Sequence, residues 1–282
     1  MKAQGPNATQ IEYWNEQAGP AWVRGKSLID AQIDPLGRAA VDAAQVRVGE
    51  SVLDVGCGTG QTSLLLAECV GSDGRVLGVD ISAPMLERAR QDAAELPQLR
   101  FEAADAQTRD FKRDRFDLVF SRFGVMFFSD PVSGFANLRS ALDASGRLAF
   151  VCWQELARNA WMRLPLQAMA PHLELPPPGD PEAPGPFAFA DPERLQKILD
   201  RAGFRATQIE AREQSLRVGV GGGFDAAVDQ ALNFGPAGAA FRSAAPEQRA
   251  AAERAVREAL TPHASPDGVR LASAAWIVTA RP

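Results

Sequence analysis

Residues Ser51 to Gly60 read SVLDVGCGTG. Val52, Leu53 and Val55 form an apolar run with no polar alternation, the pattern of a parallel strand buried on both faces. Gly56, Gly58 and Gly60 follow at alternate positions, and Ser63 to Val70 then reads as helix. A strand that passes through a glycine-rich turn into a helix N-terminus makes a ligand cradle. Glycine lets the backbone approach a ligand closely and take positive φ, and the helix start offers unpaired N–H groups. The spacing differs from the dinucleotide fingerprint G-x-G-x-x-G: the third glycine comes one residue early and Gln61 stands in its place. Asp54 adds an anion that suits a ligand amino group better than a pyrophosphate.

Working outward, Arg75 to Asp80 (RVLGVD) reads as a second buried strand ending in an acid. Asp80 lies where an acidic residue accepts hydrogen bonds from ribose hydroxyls, or where it caps the next helix together with Ser82. Leu99 to Ala104 is a third strand and leads into Asp105-Ala106. Phe116 to Ser121 is a fourth and runs into the apolar turn Arg122-Phe123-Gly124-Val125-Met126-Phe127-Phe128. Asp130-Pro131 starts a helix over 130–142, and Gly146 to Trp153 is a fifth strand. Strand–helix alternation of this kind predicts a doubly wound parallel sheet.

The D-x-G-x-G-x-G run closely resembles motif I of the class I S-adenosylmethionine-dependent methyltransferases. DISAPMLERAR, from Asp80, repeats their D-x-S-x-x-M-L-x-x-A pattern. The resemblance covers roughly residues 9–153 and is nearest to the bacterial ubiquinone/menaquinone-biosynthesis type. It implies a Rossmann-like α/β fold with a seven-stranded sheet, mostly parallel with the last strand antiparallel, and helical insertions forming a cap. It implies S-adenosylmethionine as cofactor and S-adenosylhomocysteine as product. By the same likeness Asp54, Gly56, Cys57, Gly58 and Gly60 cradle the cofactor. Asp80 takes the ribose, Ile81 and Met85 pack on adenine, Asp105 and Ala106 meet the adenine edge, and Ser121 and Arg122, at the end of the fourth strand, complete the cofactor-binding set. On spacing alone Met85 is equally a core residue of its helix.

The segment 9–24 carries Tyr13, Trp14 and Trp22 ahead of the first strand. It reads either as a helix packed on the core or as a lid over the cofactor, with rings that could face a sulfonium cation. Leu28 to Val46 follows as an amphipathic helix. After the fourth strand no N/D/S-P-P-Y/F motif and no Pro-Cys nucleophile appears, so the loop does not resemble that of a nucleic-acid base enzyme. Phe123, Met126, Trp153 and Trp161 are candidates for the wall of a pocket for a small apolar or aromatic acceptor; Phe127 and Phe128 could instead pack under the next helix.

Beyond Trp153 pattern alone applies. It gives a helix over 154–171, a Pro-rich stretch over 176–187, a helix from Pro192 closed by Gly203, a strand over 204–218, a turn at Gly219 to Gly223, helices over 224–234 and 246–260, and a last strand from Val269 to Ala280. The chain is expected to be one methyltransferase domain over 1–282. Residues 1–48 form a helical lid, 49–153 the cofactor core, and 154–190 with 224–262 the substrate cap.

The 282 residues are 46% apolar with a formal net charge of −5 and no basic run, which argues against a nucleic-acid footprint. Three cysteines lack metal-ligand spacing, so no metal is expected and a reduced, cytoplasmic setting is. There is no apolar leader and no stretch long enough to span a bilayer. Of the two histidines, His172 is the weak candidate for a base; the catalytic group is otherwise unassigned, as methyl transfer is chiefly alignment. The other readings are an NAD(P)-dependent oxidoreductase, opposed by the glycine spacing, Asp54 and the lack of a Tyr-x-x-x-Lys pair, and a non-catalytic cofactor-binding protein.

Overall fold

The computed structural model describes residues 3–111, 114–175, 179–235 and 237–282. Three helices lead: α1 (Ala8–Glu16), α2 (Ala18–Arg24) and α3 (Lys26–Ala44). The core alternates as β1 (Ser51–Val55), α4 (Gln61–Val70), β2 (Arg75–Asp80), α5 (Ala83–Asp92), β3 (Leu99–Ala103), β4 (Phe116–Arg122), α6 (Pro131–Ala141) and β5 (Leu142–Trp153). Then come α7 (Ala160–Met169), α8 (Pro192–Arg201), β6 (Arg205–Val218), α9 (Gly223–Asn233), α10 (Gly238–Ser243), α11 (Pro246–Leu260), β7 (Ala264–Ser265) and β8 (Gly268–Arg281).

The sheet order is β3-β2-β1-β4-β5-β8-β6, with the two-residue β7 paired to β8. β1 to β5 are parallel, and β8 enters antiparallel between β5 and β6. Every residue of β1 is buried, as expected for a central strand covered on both faces. The chain winds outward through β2 and β3, then returns to the other side of β1 with β4. The switch point therefore lies beyond the carboxyl ends of β1 and β4, where open α/β sheets bind ligands.

The start signals work as the sequence suggests. The Asp130 carboxylate accepts the Ser133 N–H at 3.1 Å and Asp191 accepts that of Glu193 at 2.9 Å, each followed by proline. Gly203 closes α8 at φ +90°. Several boundaries move, among them that of the helix expected over 154–171, which is α7, Ala160–Met169. β5 begins at Leu142 rather than Gly146, because Leu142 pairs with Phe116 before the register shifts. The short α10 lies in a Gly/Ala-rich stretch with too few apolar positions to show a period. The first three residues of the Pro-rich stretch, 176–178, lie outside the described residues, as do 112 and 113 of the linker before β4.

Two apolar clusters result. The larger joins both faces of the sheet. The smaller packs α7, α9 and α11 against the ends of β6 and β8.

Candidate active site

The glycine turn takes its shape from positive φ at Gly56 (+66°), Gly58 (+57°) and Gly60 (+84°), a region that side chains with a Cβ enter only at a penalty. Gly56 meets Gly124, from the turn after β4, backbone to backbone: a Cβ on Gly56 would lie 2.6 Å from Gly124 Cα. The two loops of the switch point thus touch through paired glycines. A Cβ on Gly58 would meet only the tip of Met85, at 2.9 Å.

Asp54 is fully buried. Its Oδ2 accepts the hydroxyls of Thr62 (3.0 Å) and Ser63 (2.6 Å) on the first turn of α4. Its Oδ1 is buried with no partner. Burial raises its pKa to about 6, opposed by the two hydroxyls and the Arg122 charge and reinforced by Asp80. At the end of β2 the Asp80 carboxylate accepts the N–H of Gly58 and that of Ser82, both at 2.8 Å; burial raises its pKa as well. Asp80 therefore fixes the middle of the glycine turn. Ile81 is half-buried beside it, and Met85 is buried against Gly58.

At the end of β3, Asp105 and Ala106 are buried. The Asp105 carboxylate accepts the Asn7 side-chain amide through both oxygens (3.0 and 2.9 Å), and Asn7 Oδ1 accepts the Ser129 N–H at 2.9 Å. Farther along α1, Asn15 bridges the Ile81 carbonyl and the Ala83 N–H, both 2.9 Å, and Ser82 Oγ donates to the Trp14 carbonyl. The leading segment is thus stitched across the loops after β2, β3 and β4. Trp14 meets Trp22 and Phe127 edge-on, with centroids 5.9 and 5.3 Å apart.

At the end of β4, Phe123 holds φ +60°, an outlier for a bulky residue and a place where strain collects at functional sites. Its N–H reaches the Val151 carbonyl at 2.9 Å, and its ring stacks on Trp153 at 4.1 Å and 7°. Trp153 in turn lies 5.1 Å from Trp161 of α7. These three rings run from the strand edge into the helical half of the molecule.

A methyltransferase-domain family model matches residues 52–146. The demethylmenaquinone methyltransferase of Deinococcus radiodurans is 31% identical over 194 residues, covering 66% of this chain and 78% of that protein. The chain belongs to the S-adenosylmethionine-dependent methyltransferase family. The aklanonic acid methyltransferase DauC of Streptomyces sp. strain C5 is 42% identical over 118 residues, covering 41% of this chain and 54% of that protein; the match thus spans about half of that relative. The crystal structure of the YcgJ protein from Bacillus subtilis shares the fold, with a TM-score of 0.57 at 17% identity over 87% of this chain and 97% of that one.

The cradle fits the family's cofactor. S-adenosylmethionine carries an ammonium, two ribose hydroxyls and a purine. The chain has an unpartnered buried carboxylate oxygen on Asp54, a carboxylate at the end of β2, and a glycine turn that packs backbone to backbone on Gly124. Cys57 is buried in the same turn, its thiol next to Gly78. Among the described residues no group of three or more His, Cys, Asp or Glu side chains could hold a metal ion.

Three candidate residues sit elsewhere than expected. Tyr13 is 43% exposed, on the outer face of α1, and meets Trp14 edge-on at 5.7 Å. The Ser121 hydroxyl donates to the Val55 carbonyl at 2.7 Å and accepts the N–H groups of Gly124 and Val125, so it ties β4 to β1 and has no capacity left for a ligand. Met126 is 1% exposed within the core, and its carbonyl accepts the Gly185 N–H. Phe128 packs under α6 against Phe135, whereas Phe127 joins the lid. His172 is half-buried in the turn after α7, and His263 is exposed.

A fourth candidate, Arg122, has a side chain only 8% exposed and faces α3. It donates to Gln61 Oε1 and lies 3.6 Å from Asp30, which Lys26 also contacts at 2.8 Å. Burial lowers its pKa, with the charges of Asp30, Asp54 and Asp34 resisting. Sequence reading missed Asn7, Asn15, Asp30 and Gly124. The asparagines act across more than 60 residues of sequence and leave no local trace. Gly124 had a visible signal, a lone glycine inside an apolar turn.

Proposed function

We propose that this protein transfers the methyl group of S-adenosylmethionine to a small neutral, largely apolar molecule, chiefly by alignment and exclusion of water. The observation that carries the reading is the cradle: paired Gly56 and Gly124 at the switch point, with Asp54, Asp80 and Asp105 ranged along the ends of β1, β2 and β3. The bound cofactor supplies an activated methyl group. Asp54 Oδ1 receives its ammonium, Asp80 its ribose hydroxyls, and Asp105 its adenine amine; Gly56, Cys57, Gly58 and Gly60 form the cradle, and Ile81, Met85 and Ala106 line the purine. Arg122, through Asp30 and Gln61, holds α3 against the start of α4. Residues 1–48 act as lid, with Trp14 and Trp22 inward; 49–153 form the cofactor core, and 154–190 with 224–262 cap the acceptor. Phe123, Trp153 and Trp161 form its aromatic wall, and positioning of this kind supplies ~7–11 kcal/mol.

Support for a small-molecule acceptor comes from the relatives named demethylmenaquinone and aklanonic acid methyltransferases. The setting we infer is cytoplasmic, consistent with three unpaired cysteines. No helix among the described residues is long and apolar enough to cross a membrane.

Calorimetry with S-adenosylhomocysteine and with NAD tests the reading. The first is expected to bind and the second not. Asp80→Ala is expected to weaken S-adenosylhomocysteine binding about 30-fold, since it removes the ribose acceptor and releases the Gly58 N–H; unchanged affinity would remove Asp80 from the site.

The Asn7 staple makes a kinetic prediction. Asn7 and the adenine amine both donate to Asp105, so cofactor exchange requires the lid to loosen there. A charge-assisted bond of this sort contributes about 1.5–3 kcal/mol. Asn7→Ala is expected to speed both association and dissociation of S-adenosylhomocysteine about tenfold, with little change in affinity. Stopped-flow tryptophan fluorescence reads both rates; a change in affinity with one rate untouched would show that Asn7 contacts the ligand itself.

A further inference from the structure

β6 is the outer strand of the sheet beyond β8, and among the described residues no strand pairs with its far side. Its register on β8 runs unbroken from Gln208 to Val218 and sets Glu213 opposite Ala274. Ala274 turns its backbone away from β6: its N–H donates to Asn159 Oδ1 at 3.1 Å and its carbonyl accepts the Gln154 N–H at 3.0 Å. In an antiparallel ladder the two residues of a pair either bond each other or both turn away. Glu213 therefore directs its N–H and C=O to the free edge, and by the period of two so do Ile209, Ala211, Ser215 and Arg217. Among the described residues none of these backbone groups has a hydrogen-bond partner. Glu210, Ala211, Arg212 and Glu213 are all exposed, so neither face of the strand is covered there. The strand also lacks proline and lysine, residues that commonly block an open edge. Such an edge is a template for another strand.

We infer that this edge pairs with the same edge of a second copy of the chain, the two β6 strands running antiparallel about a two-fold axis at Ala211. Charge selects both the partner and the register. Among the described residues neither Glu210 nor Arg212 has a hydrogen bond or ion pair within the chain. An axis at Ala211 sets each Glu210 opposite the partner's Arg212, on one face and at non-hydrogen-bonded positions, where side chains come closest. The outward-turned residues then form the hydrogen-bonded pairs, Ala211 with its own copy and Ile209 with the partner's Glu213. Moving the axis to Glu210, Arg212 or Glu213 sets that charge against itself. An axis at Ser215 would oppose Glu213 and Arg217, but these already pair with Arg158 and Asp267 in their own chain, and the strands would overlap less. A contact of this kind is self-complementary and closes as a dimer. β5 and β8 stand between β6 and the cradle strand β4, so the pairing does not depend on what the cradle binds.

Sedimentation equilibrium on the full chain tests the pairing. The native protein is expected to be a reversible dimer at about 100 μM, in the weak range that suits a small interface. Glu210→Arg places like charges opposite one another on both sides of the axis and is expected to raise the dissociation constant about tenfold. Combining it with Arg212→Glu exchanges the two signs and is expected to restore the native value. Ala211→Cys sets two thiols across the axis on Cα atoms about 5.5 Å apart, within disulfide reach, and is expected to link two copies under mild oxidation. Glu213→Cys faces the partner's Ile209 and is expected to stay unlinked, as is the native chain with its three free cysteines. Circular dichroism melts report that each variant is folded. A native chain that stays monomeric, a dimer indifferent to Glu210→Arg, a double variant that is not restored, or equal linking by Ala211→Cys and Glu213→Cys would overturn the inference.

Discussion

Gly56→Ala is expected to destabilise the protein by about 3 kcal/mol and abolish cofactor binding, while Gly58→Ala destabilises by about 1 kcal/mol and still weakens the cofactor. Both positions hold positive φ, which any Cβ makes unfavourable by ~1–2 kcal/mol. They differ in what the Cβ meets. At Gly56 it meets backbone, Gly124 Cα at 2.6 Å, and Gly124 cannot retreat because its own Cβ side faces the Val55 carbonyl at 2.6 Å. Overpacking against fixed atoms adds ~1–3 kcal/mol. At Gly58 the obstacle is Met85 Cε, the free end of a flexible side chain. Urea denaturation measures both variants. A loss below ~1 kcal/mol for Gly56→Ala would mean that the two loops are not locked together and that the switch point is softer than the geometry states.

This contrast also marks how far the sequence could be read. The alternating glycines, the acids ending β1 and β2, and the Asp-Pro helix starts are local signals, each carried by a few adjacent residues. They placed the parallel core, and they put the glycine turn at the switch point of the sheet. What the sequence did not disclose depends on contacts between distant segments. Nothing near Gly56 says that Gly124 will lie against it. Nothing in GPNATQ says that Asn7 will reach Asp105. Tyr13 and Trp14 look equivalent as neighbours, yet a helix turns one outward and the other onto Phe127. Ser121 looked available until the hydrogen bonds showed that its hydroxyl is committed to β1 and to the turn. The polar pair Gln32 and Gln230, 198 positions apart, is legible only once the fold brings α3 and α9 together.

Asp54→Asn is expected to abolish a pH dependence of stability amounting to about 3 kcal/mol. In the folded chain the Asp54 pKa is raised to about 6, with burial the largest cause; unfolded, it titrates near the ordinary carboxylate value of about 3.9. Between these values the folded chain holds a proton that the unfolded chain has released, so this group makes stability fall as pH rises from about 4 to about 6. Above pH 6 the full penalty remains, on the order of 3 kcal/mol from the shift. Asparagine has no charge to desolvate. The stability of Asp54→Asn relative to the native chain should therefore improve by that amount between pH 4 and pH 8, by urea denaturation in the absence of cofactor. Parallel curves would show that Asp54 does not titrate as its burial dictates. An ammonium near Oδ1 changes the sign of the argument: it favours the ionised carboxylate, lowers its pKa and offsets the penalty. S-adenosylhomocysteine affinity should then rise with pH through 6 in the native chain and lose that rise in Asp54→Asn. The same buried carboxylate that weakens the empty fold at neutral pH is in this way what makes the ligand's positive charge welcome, and the two pH profiles should mirror one another.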